Sequence, residues 1–229
     1  MFIPKRFLEK LSLSLLAGLA AAVGVLIFLA WLTDEVLEGD TRTFDEATRN
    51  SIHQLATPTL TTLMRGISFL GSTRFLFSAT VVIALILFFR GWKRASALLT
   101  ITMIGAAILN ITLKLAFKRA RPEPFFDLAA PKSFSFPSGH SLASFCFFGV
   151  LALMINARIE NRKLRLPIWI GAAVMVFLIG LSRIYLGVHH ATDVIAGFTA
   201  ALIWIGAVKF VDAQLLKRKL RRQEDAETE

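Results

Sequence analysis

The stretch SRIYLGVHHATDVIAGFTAALIWIGAV, Ser182–Val208, changes character near its middle. Its first half packs Ser182, Arg183, His189, His190 and Asp193 into a dozen positions, and from Val194 onward it is apolar but for one threonine. An apolar run with a titratable island at its head reads as a membrane helix that carries chemistry at one end. The rest of the chain repeats the pattern. Apolar segments are expected at 11–32, 75–89, 95–117, 141–156, 167–185 and 194–208. Each approaches the roughly 20 residues that cross a bilayer.

Composition agrees. With 55% hydrophobic residues and a mean hydropathy of +0.62 over 229 residues, the chain is too apolar for a soluble domain of its size. The expected fold is all-α, a bundle of six transmembrane helices with a short amphipathic helix after the first span. Residues 1–229 form one domain, without linker or repeat, and a disordered tail is expected at 223–229. Lys5, Arg6 and Lys10 precede a hydrophobic run longer than a signal-peptide core, so the first span is expected to stay uncleaved. The single cysteine, Cys146, allows no intrachain disulfide.

Charge placement supplies a topology. The N-terminus and the stretches 90–94, 158–165 and 209–222 hold 16 of the 26 Lys and Arg residues, and six spans put them on one side. By the positive-inside rule both termini are expected in the cytoplasm of a multi-pass protein of the cell membrane. The net charge of +10 is mostly this excess, and no basic stretch interleaved with aromatics points to nucleic acid.

Three islands then fall together on the opposite, extracytoplasmic face. Lys114 and Arg121 are seven residues apart, close to two helical turns, with Pro122 expected to end that helix. Lys118, Arg119 and Lys132 read as headgroup-facing charges. Pro137-Ser138-Gly139-His140 opens an apolar run. Ser138 suits an N-cap, Gly139 allows close backbone approach, and N–H groups at a helix start bind anions. Arg183 offers a forked donor to phosphate oxygens. Asp193 follows His189 by four residues, so a helical turn brings the carboxylate to the imidazole and fixes its tautomer. His190 lacks that partner and is expected to be a bystander, and His53 a surface residue. The set of cations, imidazoles and one carboxylate fits removal of phosphate from a lipid.

The pattern Lys-x6-Arg-Pro, Pro-Ser-Gly-His and Ser-Arg-x5-His-x3-Asp resembles the type 2 phosphatidic acid phosphatase superfamily. Lys114, Arg121, Pro122, Pro137, Ser138, Gly139, His140, Ser182, Arg183, His189 and Asp193 match every signature position. The resemblance, over about 11–208, implies His189 as nucleophile of a phosphohistidine intermediate, Asp193 as its orienting group and His140 as general acid. It implies Lys114, Arg121, Ser138, Gly139 and Arg183 as phosphate ligands, with no metal and no cofactor. The expected partners are the bilayer and a membrane lipid phosphate: undecaprenyl diphosphate, phosphatidic acid or phosphatidylglycerophosphate. No obligate protein partner is inferred. A lipid phosphotransferase using the same phosphohistidine, or a non-enzymatic lipid-phosphate binder, are the alternative readings.

Overall fold

The computed structural model describes residues 5–126, 128 and 131–228. Asp127 lies outside them. The described elements are helical: α1 (Lys5–Glu38), α2 (Arg42–His53), α3 (Pro58–Leu70), α4 (Thr73–Phe89), α5 (Lys93–Phe117), α6 (Gly139–Asn156), α7 (Arg165–Tyr185, after a 3₁₀ turn at Arg162–Leu164) and α8 (Ala191–Thr228). Five helices are individually long and apolar enough to span a membrane. α3 and α4 pass the same test only as a pair, across a 45° bend, which makes five to six candidate spans.

Leu60, Leu63, Met64 and Ile67 lie in α3, a helix separate from α2. Thr57 caps α3 with Pro58 in its first turn, and Ser72 caps α4, each side-chain oxygen accepting a backbone N–H at 3.2 Å. Two capped starts so close together force a break. α2 is the expected short amphipathic helix, and it packs on α7 and α8. α8 remains helical to Thr228, past the expected start of the tail.

The core lies where α5, α6 and α8 meet, around Leu99, Ala106, Leu142, Cys146, Phe147, Val150, Ala200 and Ala201. Large apolar side chains such as Phe77, Ile108 and Phe177 point outward, as lipid contact requires. Small residues let the inner helices close up. A Cβ on Gly197 would stand 2.7 Å from the Ser138 carbonyl oxygen and 2.9 Å from the Ser141 Cβ. α6 and α8 therefore touch backbone to backbone at the Pro137–His140 loop.

Candidate active site

The islands converge at one end of the bundle by local devices that the sequence only partly reveals. α5 ends at Phe117 and not at Pro122, because Lys118 takes a left-handed conformation (φ 48°) that turns the chain. Arg121 thus reaches the site from a loop. Its Nε donates to the Ser133 carbonyl at 2.7 Å, and its Nη1 to the Val188 carbonyl at 2.7 Å and to His189 Nε2 at 3.0 Å. Lys114, 8% exposed, donates to the carbonyls of Phe134 and Ser135. Arg183 donates to the Ser68 hydroxyl and leaves its Nε buried without a partner.

His189 and Asp193 meet as their spacing requires, with Nδ1 3.2 Å from Oδ2. Arg121 can only donate, so His189 Nε2 is the acceptor and the ring proton sits on Nδ1, facing the carboxylate. Burial pushes the His189 imidazole down from its ordinary 6.5 to about 3, against the opposing pull of Asp193. The ring is neutral at physiological pH, with its Nε2 lone pair turned toward the cations. Burial likewise lowers Arg121, while Asp193 raises it.

Asp193 does two jobs, since it also accepts the His190 backbone N–H at 2.9 Å and so closes the first turn of α8. The Ser135 hydroxyl donates to the same oxygen. The His190 ring makes none of these contacts, and its Nδ1 is buried without a partner. Burial foremost, then the nearby Arg119, hold that ring below the usual histidine range.

His140 lies in the first turn of α6 and feels the charges of Arg183, His189, Arg121 and Lys114. The α3–α4 break presses on it, because a Cβ on Gly71 would lie 3.3 Å from His140 Cδ2. Ser138 is fully buried. Its Oγ caps α6 and accepts from the Ser141 hydroxyl at 2.9 Å, so in this structure it faces the helix start.

Two expectations are overturned. Arg119 is not a headgroup-facing charge. Its side chain is 15% exposed and bridges two fully buried carboxylates, Asp193 Oδ1 at 2.6 Å and Asp45 Oδ2 at 2.8 Å. Asp45, from α2, also takes the Thr192 backbone N–H at 2.9 Å and its hydroxyl at 2.7 Å. His53 is not a surface residue either. It stacks on Phe125 at 3.8 Å, with Arg49 over the same ring at 4.0 Å. Asp45, Arg119 and Ser135 were missed because their partners lie 54 to 147 residues away. The one available signal was an acidic residue on the apolar side of an amphipathic helix.

The outcome is a division of charge. Arg119 takes the carboxylates, and Lys114, Arg121 and Arg183 are left bonded to neutral groups. Among the described residues no cluster of three or more His, Cys, Asp or Glu is placed to hold a metal ion.

The fold is a polytopic helical bundle with cations gathered around a histidine–aspartate pair, and comparison with known proteins gives its family as one of membrane phosphatases. The family model described as PAP2 superfamily matches residues 95–214. Phosphatidylglycerophosphatase B of Bacillus subtilis is 34% identical over 195 residues, 84% of this chain and 95% of that protein. The undecaprenyl-diphosphatase of Sulfolobus acidocaldarius is 32% identical over 51% of this chain and 55% of its own length. The crystal structure of the transmembrane PAP2-type phosphatidylglycerolphosphate phosphatase from Bacillus subtilis superposes with a TM-score of 0.78 at 32% identity, covering 84% of this chain and 96% of that one. The chain belongs to the PAP2 superfamily.

Proposed function

We propose that this membrane phosphatase hydrolyses a phosphate monoester or diphosphate on a lipid, through a phosphohistidine on His189 at the extracytoplasmic face of the cell membrane. One observation carries the reading. Lys114, which is buried, and Arg121 and Arg183, which are half-buried, act electrostatically on one another and on His140, and among the described residues none of the three is ion-paired to a carboxylate. Such a surplus of positive charge favours binding of an anion. A phosphoryl group carries the right charge, and the N–H groups at the start of α6 add further donors.

Chemistry follows from the two imidazoles. The His189 Nε2 lone pair attacks phosphorus, forming the N–P bond while the bond to the lipid oxygen, or to the leaving phosphate of a diphosphate, breaks. Asp193 stabilises the charge that appears on the ring. His140 gives a proton to the departing oxygen. Water then attacks phosphorus, His140 takes its proton, the N–P bond breaks and inorganic phosphate leaves. Lys114, Arg121 and Arg183 hold the equatorial oxygens, where charge stabilisation contributes most. The relatives' names support phosphatidylglycerophosphate and undecaprenyl diphosphate as substrates, and phosphatidic acid shares the group the site would hold. The basic 90–94, 158–165 and 209–222 stretches support a cytoplasmic location for the opposite end.

The test is phosphate release by purified protein, with EDTA present, from these three lipids beside His189→Ala. Turnover that survives EDTA, an acid-labile phosphoenzyme, and at least a thousandfold loss in the variant are expected, on the scale of losing a nucleophile. Label passing to an acceptor lipid instead of water would make it a phosphotransferase. Full activity of His189→Ala would remove the phosphohistidine.

A further inference from the structure

The end of the bundle opposite His189 holds two hollows that share one ion pair as a wall. Arg94, in the first turn of α5, donates twice to Asp212 of α8, from Nε to Oδ1 at 2.8 Å and from Nη2 to Oδ2 at 2.6 Å. The larger hollow, about 660 Å³, lies between α5 and α8. Its walls are apolar side chains such as Ile101, Trp204, Val211 and Leu215, with Lys219 beside the ion pair. The smaller, about 430 Å³, is bounded also by α6 and carries Lys209 and Arg158.

The larger groove is held in shape at two levels. Trp204 Nε1 donates to the Thr102 carbonyl at 2.9 Å, and its indole lies on Gly105, where any side chain would strike it. The Arg94–Asp212 pair joins the same two helices again near the end of the bundle. Charge is unbalanced there. Arg94, Arg158, Lys209 and Lys219 line the hollows against a single carboxylate, Asp212. Arg94 spends Nε and Nη2 on Asp212, and among the described residues its Nη1 makes no hydrogen bond.

An apolar groove that ends in cations, where a span meets the headgroups, fits a molecule with hydrocarbon chains and an anionic head. A zwitterionic head would bring its own ammonium up to the same cations. A soluble anion would gain nothing from the apolar walls. A second copy of this chain, docked by two-fold symmetry, would set the four cations against themselves. Trp204 precedes Asp212 by eight residues, about 12 Å along α8, so it lies at the depth of the middle of an acyl chain.

We propose that the groove between α5 and α8 binds an anionic diacyl phospholipid of the leaflet on this side, with its phosphate at Arg94, Lys209 and Lys219 and an acyl chain along Trp204. This lipid is not the substrate, because His189 lies at the other end of the bundle. The proposal is independent of the reaction assigned to that site.

The experiment uses the full chain carrying Trp31→Phe, Trp92→Phe and Trp169→Phe, so that Trp204 alone fluoresces. It is reconstituted in dioleoyl phosphatidylcholine vesicles containing a small fraction of phosphatidylglycerol or phosphatidylcholine brominated at mid-chain. Bromine quenches an indole only at close range. Brominated phosphatidylglycerol should associate at Trp204 about tenfold more strongly than brominated phosphatidylcholine, the scale of two interfacial lysines. In the Lys209→Gln/Lys219→Gln variant the preference should disappear, since Asp212 offsets Arg94. Both lysines are exposed, so the fold survives their loss. A companion chain keeping only Trp169, exposed near the start of α7, reports ordinary lipid contact at the same end and should show little preference. Equal quenching by both lipids at Trp204, or a preference that persists without the lysines, would overturn the proposal. The same preference at Trp169 would reduce it to diffuse attraction by a basic surface. Quenching by neither lipid, from a chain that runs as a dimer, would place a second copy in the groove instead.

Discussion

Arg119 is the residue at which sequence and structure part most sharply. Between Lys118, which is exposed, and Arg121, which lines the site, it reads as one more interfacial cation. It instead holds Asp193 from one side while His189 is held from the other. Asp45 balances it. Without that second carboxylate, the full charge of Arg119 would act on Asp193 and weaken the grip of Asp193 on the His189 proton. Asp45→Asn keeps the shape and removes the charge, so kcat should fall about tenfold with KM little changed, since the phosphate ligands are untouched; a loss of about one pKa unit of interaction corresponds to that factor. Arg119→Ala leaves two buried carboxylates unpaired and should cost about 3–5 kcal/mol of stability, read by thermal unfolding of the purified protein. Normal kcat in Asp45→Asn would mean that the bridge only fastens α2.

At the scale of elements, chemistry is placed where helices begin and where they approach most closely. α6 and α8 both start at the site, and the Ser138 backbone N–H donates to the Asp193 carbonyl at 2.9 Å, tying the two starts together. Gly197 makes that approach possible, because any side chain would strike the Ser138 carbonyl. Gly197→Ala should therefore destabilise the protein by about 1–3 kcal/mol and depress activity, as overpacking does. Gly206, on the same helix, has nothing within 4 Å of an added Cβ. Gly206→Ala serves as the control and should leave stability unchanged or slightly improved. Thermal unfolding and phosphate release distinguish the pair, and equal behaviour of the two variants would contradict the close packing. The two glycines look alike in sequence, since each sits in an apolar run.

The whole molecule segregates its charge along the bundle axis. The end formed by Lys93, Arg158, Arg165 and the C-terminal part of α8 is basic, while Lys114, Arg121 and Arg183 are gathered at the other end. If the topology is as proposed, a membrane-impermeant maleimide applied to intact cells should label Gln54→Cys, which is exposed just after α2. It should not label Lys163→Cys, exposed at the opposite end. The native Cys146 is buried and should stay silent in both. Labelling in the reverse sense would invert the orientation and place catalysis in the cytoplasm.

The sequence by itself determined the helical membrane class, the approximate spans and the meeting of His189 with Asp193. Each follows from hydropathy or from a four-residue spacing, and both act over a short stretch of chain, although His189 lies in the turn before α8. It did not reveal the 45° bend between α3 and α4, because a helix cap at Ser72 looks the same in sequence as an ordinary loop. It misread Arg119 and His53 and left Asp45 and Ser135 unremarked. Their environments are made by residues brought from elsewhere in the chain: Asp45 from α2 against the start of α8, and Phe125 against His53. Only the tertiary structure decided which cations were paired with carboxylates and which were left without one, because burial and partner choice are properties of the packed bundle.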